Sequence, residues 1–320
     1  MAAPGDRDLV SAPTVVFDAR RLVPPRPTSA KLHAALAIAT FVTLSIAGGL
    51  VWEPLAPAVE TLRQLLEPAR LWQTVRAGLG YATLTFLVLG AHEMGHYLAC
   101  RHYGIPCSLP YFIPGLPFVG SFGAVIRIRG AIPHRRALFD VAAAGPFAGF
   151  AVAMPILLVG VLRARPFTSL PDAADAVGAY RLGEPVLLTL LQRLFSSADE
   201  IAANAWIGAG WVGMLVTSLN LFPVGQLDGG HAAYAFSGRV HRVLTLATLA
   251  ALFAIIAVQA LVFAEFPFYS VWFAILLWMR DRHPRLVDES GTLGRGRTLA
   301  ALGLVLVFAL SFILVPIQVG

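Results

Sequence analysis

Apolar residues run along the chain in seven long stretches: 33–52, 78–100, 137–162, 204–222 with an irregular continuation to about 236, 243–264, 267–279 and 298–317. Charged residues gather between them. A helix crosses a bilayer with about 20 mostly apolar residues, so the pattern predicts an all-α polytopic membrane protein with about seven transmembrane helices. The sixth stretch is short and can equally merge with the fifth as a re-entrant pair. Two segments refuse the helical period. Residues 105–133 carry Pro106, Pro110, Pro114, Pro117 and Pro133 and alternate apolar with basic residues in "AVIRIRG", which predicts a short re-entrant or β-strand element between the second and third spans. In "NLFPVGQLDGGH", residues 220–231, Pro223, Gly225, Gly229 and Gly230 must bend or unwind the fourth span. Non-helical backbone at membrane depth survives only where protein or a water-filled cavity satisfies it, so both segments are candidate cavity walls.

The basic residues add an orientation. Arg20, Arg21, Arg26 and Lys31 precede the first span, Arg101, Arg127, Arg129, Arg135 and Arg136 lie between the second and third, Arg239 and Arg242 follow the fourth, and Arg280, Arg282, Arg285, Arg295 and Arg297 precede the last. All fall on one side if the N-terminus is cytoplasmic. The opposite side receives 53–77 and 163–203, where Glu53, Glu60, Glu67, Asp172, Asp175, Glu184, Asp199 and Glu200 offset a few arginines. Residues 1–32 contain acids and scattered prolines without an apolar core, which reads as a cytoplasmic tail and not as a signal peptide. The expected location is therefore a cell membrane, multi-pass, with a cytoplasmic N-terminus. The domain reading is tail 1–32, accessory span and external loop 33–77, catalytic three-helix core 78–240, and accessory C-terminal spans 241–320.

Composition narrows the classes. With 57% hydrophobic and 13% charged residues and a mean hydropathy of +0.72, a soluble domain of 320 residues is excluded. The net charge of +6 comes from arginines at the ends of apolar runs and not from one basic patch, so no nucleic-acid partner is expected. Cys100 and Cys107 are the only cysteines, too few for a disulfide framework or a cysteine-based zinc site.

Against this background "LVLGAHEMGHYLACRHYG", residues 87–104, places three ionisable side chains inside an apolar helix. An intramembrane charge costs at least a few kcal/mol unless compensated, so it marks a functional site by default. His92 and His96 stand four apart, on one helical face, where their rings can reach one metal ion; Glu93, next door, can touch a water on that ion without ligating it. Chance would produce H-E-x-x-H in roughly one chain in two hundred of this composition. The alternative is an interhelical hydrogen-bonding pair beside a structural carboxylate. Zinc suits imidazole and carboxylate, and a catalytic zinc keeps three protein ligands and an open position. Asp228 is the candidate third ligand, because Glu265 sits in a short turn and Asp140 lies beside Arg135 and Arg136, where interfacial pairing accounts for it. Arg101 follows His92 by nine residues and Arg239 follows Asp228 by eleven. If both arginines mark the cytoplasmic boundary, the ligands lie at similar depths, roughly 10 to 15 Å beneath it. A turn or cap role for Asp228 is the competing reading.

HEMGH on one span and NLFPVGQLDGG on a later one closely resemble the site-2 protease family of intramembrane zinc metalloproteases, whose pattern is H-E-x-x-H followed by N-x-x-P-x-x-x-L-D-G. His92, Glu93, His96, Asn220, Pro223, Leu227, Asp228 and Gly229 fill every fixed position. The PYFIP, GSFGA and ALFDVAAAGPFAGF stretches resemble the branch that lacks a PDZ domain, and the 163–203 loop is too short to hold one. The resemblance covers about residues 78–240. It implies one Zn2+ per chain held by His92, His96 and Asp228, with Glu93 catalytic as the group that takes a proton from water and returns it to the leaving amine. Asn220 is a candidate catalytic helper, donating to the substrate backbone or the oxyanion, or it holds its own broken helix together. His231 is open between supporting Asp228 and ordinary burial; His33, His102, His134, His241 and His283 receive no role.

The function expected is hydrolysis of peptide bonds within or near transmembrane segments of another membrane protein, with the lipid bilayer as setting and the oligomeric state unspecified. The alternating 119–129 stretch can supply an edge strand that catches an unwound substrate, or it can be a structural plug. The rivals are a metal or solute transporter, though neither motif has a second copy, and an inactive membrane scaffold, for which Glu93 would be unnecessary.

Overall fold

A computed structural model describes residues 29–51, 68–115, 119–166, 180–198, 200–261, 268–280, 283 and 286–319. The predicted tail up to residue 28, the acids Glu53, Glu60, Glu67, Asp172, Asp175, Asp199 and Glu265, and Arg282 and Arg285 lie outside these residues. The elements in chain order are α1 (Ala30–Val51), α2 (Pro68–His102), β1 (Tyr111–Pro114), β2 (Ser121–Val125), α3 (Arg135–Leu162), β3 (Tyr180–Leu182), α4 (Val186–Phe195), α5 (Ala205–Asn220), α6 (Asp228–Phe236), α7 (Gly238–Leu261), α8 (Tyr269–Met279), α9 (Arg295–Ser311) and β4 (Ile317–Val319).

The chain is mostly helical. Among the described residues four helices are long and apolar enough to cross a membrane, Ala30–Leu50, Leu71–His102, Arg135–Leu162 and Gly238–Leu261, which makes it a multi-pass membrane protein. Large apolar side chains on their outer faces, such as Ile38, Leu87 and Phe253, are exposed, as a lipid solvent permits. The other three predicted spans also form helices but stop short. Helix α5 has 16 residues, α8 has 11 and α9 has 17, so at 1.5 Å per residue each falls below the roughly 30 Å of hydrocarbon. Helix α2 departs the other way: its 35 residues begin ten before the expected start, and its length of about 52 Å exceeds the hydrocarbon thickness.

Small residues let these helices approach closely. A Cβ on Gly213 would fall 2.7 Å from Val88 of α2 and 3.0 Å from Ala153 of α3, and one on Gly210 would fall 2.8 Å from Leu157 of α3. The core that results joins α1, α2, α3 and α5 through residues such as Leu44, Tyr81, Val88, Leu157, Trp211 and Met214. Where lipid is the competing solvent, this close packing replaces hydrophobic burial as the force between helices.

The proline-rich segment forms an antiparallel hairpin, pairing Tyr111 with Val125, Phe112 with Ala124, Ile113 with Gly123 and, after a register shift, Pro114 with Ser121. The alternating stretch is thus a strand only as far as Val125; pairing resumes as a single bridge between Cys107 and Ile128. Helix α1 fixes the hairpin in place. Thr43 Oγ1 donates to the Gly120 carbonyl at 2.6 Å, Tyr81 Oη of α2 donates to the Val119 carbonyl at 2.8 Å, and Phe112 stacks on Phe86 with centroids 4.0 Å apart. Gly120 has φ +82° and lies so near the backbone of Leu44 that a Cβ would fall 2.6 Å from its Cα, so glycine is required on both counts. Among the described residues β2 pairs only with β1, so its other edge has no strand partner among them.

Candidate metal centre

The broken fourth span is what brings the distant residues together. Helix α5 starts on Asn204, whose side chain accepts from the N–H groups of Trp206 and Ile207, both at 3.0 Å, and its last helical residue is Asn220. Pro223 cannot continue the hydrogen-bond ladder, and Gly225 takes the left-handed φ of +56°. The chain turns through Val224 N–H to the Phe222 carbonyl at 2.8 Å and re-enters a helix at Asp228. Gly229 and Gly230 are packed against the carbonyls of Leu221 and Gly225, a separation that leaves no space for side chains. The unwound turn therefore presents Asn220 and Asp228, from two helix ends, toward α2.

On α2, His92, Glu93 and His96 are 3%, 5% and 7% exposed. His92 Nε2 lies 3.1 Å from His96 Nε2; Asp228 Oδ2 lies 3.1 Å from the former and 3.3 Å from the latter. These three ligand atoms form the single grouping of its kind among the described residues, all within 4.8 Å of one another. Asn220 Nδ2 reaches His92 Nε2 at 3.2 Å, and the N–H of Ile126, just past β2, donates to the Glu93 carboxylate. The structure thus brings together every residue singled out from the sequence: His92, His96 and Asp228 at the centre, Asn220 and Glu93 beside it.

The donor set fits a zinc ion. His96 Nδ1 bonds the Val141 carbonyl at 2.7 Å, so in the neutral ring it carries the proton and Nε2 keeps the lone pair that a metal takes. Bonds of about 2.0 to 2.1 Å to tetrahedral zinc set ligand atoms about 3.3 Å apart, close to the spacing found. Helix α3 closes the back of the site through Gly145 and Gly149: a Cβ on Gly145 would overlap the His96 ring, and one on Gly149 would lie 3.1 Å from His92 Nδ1.

Five features of the site add to the sequence expectations or depart from them. The Val141 carbonyl and the Ile126 N–H are backbone groups with no sequence signature. The glycine pair did have one, since Gly145-Pro-Phe-Ala-Gly149 is a G-x-x-x-G spacing, the mark of close helix approach. Asp140 does form an interfacial ion pair, but its partner is Arg297 of α9, at 2.6 Å, and not Arg135 or Arg136; Tyr103 Oη also donates to it. His231 bonds His283 at 2.8 Å, and no hydrogen bond joins it to Asp228.

A membrane-embedded helical bundle with two histidines and an aspartate converging on one point, and a glutamate beside them, is the architecture of an intramembrane metal-site protein. The chain belongs to Peptidase family M50, whose profile matches residues 80–264. It is 35% identical over 169 residues to "Probable zinc metalloprotease EGY2, chloroplastic" of Arabidopsis thaliana, covering 52% of this chain and 30% of that protein. It is 34% identical over 169 residues to "Probable zinc metalloprotease EGY1, chloroplastic" of the same plant, covering 50% and 30%. Against "Probable zinc metalloprotease EGY3, chloroplastic" of Oryza sativa subsp. indica it is 27% identical over 218 residues, covering 64% and 35%. The chain thus spans about a third of the length of these curated relatives.

Proposed function

We propose that this protein is an intramembrane zinc endopeptidase that hydrolyses peptide bonds within or near transmembrane segments of other membrane proteins. The observation that carries the reading is the meeting of His92 Nε2, His96 Nε2 and Asp228 Oδ2 at 3.1 to 3.3 Å with Glu93 buried beside them. In this reading His92, His96 and Asp228 hold one Zn2+, which when bound supplies Lewis acidity toward a water and the scissile carbonyl. Glu93 takes the proton from the attacking water on its carboxylate and delivers it to the leaving amine. The Ile126 N–H keeps that carboxylate aimed. Asn220, whose amide shares the His92 contact, donates a hydrogen bond to the substrate backbone or to the oxyanion. A substrate helix must first unwind, and the edge of β2 away from β1 accepts the freed strand by β-addition, placing it one residue from the group that orients Glu93.

The membrane arrangement belongs to the same reading. We place the N-terminus in the cytoplasm and the protein in a cell membrane, and count α5 with α6 as one broken span among seven. Residues 78–240 form the catalytic core, with 1–32, 33–77 and 241–320 accessory.

The deciding experiment incubates purified protein with single-span substrates in detergent or liposomes. Glu93→Gln should keep its zinc and lose cleavage; equal product from the variant and the parent would end the proposal.

A further inference from the structure

Three histidines outside the centre gather where α6, the start of α7 and the segment after α8 meet. His231 Nδ1 and His283 Nε2 face each other at 2.8 Å. The His241 ring lies 5.5 Å from that of His283, and Tyr234 stacks on His283 at 3.8 Å with planes 12° apart. His241 is 6% exposed, and its buried Nε2 has no hydrogen-bond partner, while its ring bonds the Gly225 carbonyl. Since Nε2 is unpartnered, that bond runs through Nδ1, which therefore holds the proton and leaves a buried lone pair on Nε2.

We infer that His231, His241 and His283 form a second divalent-cation site, one that takes Zn2+ or a similarly imidazole-preferring ion. Three arguments support it. A metal-binding imidazole fixes its tautomer by donating its other N–H to a carbonyl; His241 with Gly225 repeats the construction of His96 with Val141. The facing nitrogens of His231 and His283 resemble the His92 and His96 pair at 3.1 Å, and an ion entering between them needs a separation of about 3.3 Å, a movement of roughly half an ångström. The orientation of His283 is held from outside the cluster as well, because the stacked Tyr234 is anchored by its hydroxyl to Glu289 Oε1 at 2.9 Å. The three donor atoms do not yet lie within 4.8 Å of one another, as those of the first centre do, so binding draws the His241 ring toward the pair. Because its ligand atoms must first be drawn together, this site holds its ion less tightly than the preformed centre containing Asp228.

The test uses the 320-residue chain carrying Glu93→Gln, loaded with one Zn2+ per chain and then dialysed to equilibrium against buffered free Zn2+, with metal and protein both quantified. A second equivalent should bind, with a Kd at least about tenfold weaker than the first. His241→Ala and His283→Ala should each weaken that second equivalent tenfold or more while retaining the first. His283→Asn, which keeps a polar partner for His231, serves as the variant in which folding is least disturbed; it should show the same loss. Saturation at one equivalent, or a second equivalent unchanged in all three variants, would overturn the inference. Metal content is read without proteolysis, so failure of the protease reading would leave this result standing, and the reverse.

Discussion

Gly145 offers the sharpest test of how closely α3 must approach the metal centre. Replacing it with alanine adds one methyl group, which would overlap the imidazole of His96. That ring cannot retreat freely, since its Nδ1 is bonded to the Val141 carbonyl on the same helix and its Nε2 faces His92 and Asp228. Overpacking of this kind costs about 1 to 3 kcal/mol, partly offset by the roughly 0.5 to 1 kcal/mol that alanine gains over glycine within a helix. A net loss of about 1 to 2 kcal/mol is the expectation. Because the displaced group is a ligand, that loss should appear chiefly in metal affinity, a fall of about 5- to 30-fold, readable as zinc occupancy across a series of buffered free-zinc concentrations. Two glycines calibrate the measurement. Gly149→Ala meets His92 only at 3.1 Å and should weaken zinc by less, while Gly80→Ala, with nothing within 4 Å of its added Cβ, should leave zinc unchanged and raise thermal stability slightly. Zinc binding by Gly145→Ala equal to that of Gly80→Ala would refute the close approach on which the geometry of the centre rests.

Other perturbations probe other parts of the site. Asp228→Asn preserves shape but removes the anionic ligand, and metal analysis should show zinc retention reduced at least about tenfold. Ile126→Pro deletes the N–H that orients Glu93 and should lower turnover with zinc content unchanged; full activity in that variant would show that the backbone contact is dispensable. Chelation by EDTA, with metal loss verified, should abolish cleavage, and re-addition of Zn2+ should restore it. Arg297→Ala strips Asp140 of a two-point partner at 2.6 and 2.8 Å and should cost about 1 to 3 kcal/mol, seen as a lower Tm in detergent, with the exchanged pair Asp140→Arg and Arg297→Asp recovering part of it.

What could be seen in the sequence follows a physical division. His92, Glu93 and His96 were legible because a helix turns four residues of spacing into one shared face, so the chemistry is written locally. Asp228 and Asn220 were legible because prolines and glycines beside them forbid a continuous helix, and a broken helix in lipid needs a reason. Span lengths were less legible, because an apolar run in α5, α8 or α9 does not report where the chain turns inside the protein rather than beyond the membrane. The hairpin is legible in kind but not in length, since the alternating basic residues after Val125 satisfy the period of a strand without a continuous partner.

The remaining parts of the centre are contributed by atoms that every residue has, or by the lack of a side chain. The Val141 carbonyl sets the proton on His96, the Ile126 N–H sets the direction of Glu93, and Gly145 and Gly149 set the distance between α2 and α3. The two backbone groups are not specified by the identity of their residues, and the two glycines matter through the close approach they allow; each depends on where two backbones lie relative to each other. That position is fixed far from the metal, by Thr43 and Tyr81 holding the hairpin loop and by Arg297 tying α9 to Asp140. Helices α1 and α9 lie outside the residues the family profile matches, yet through these contacts they are expected to matter for activity, because an aimed carboxylate or a seated imidazole depends on where the neighbouring backbone sits. Thr43→Val should accordingly reduce turnover through the hairpin, although residue 43 touches neither Glu93 nor any of the three proposed ligands, and its zinc content should match that of the parent protein.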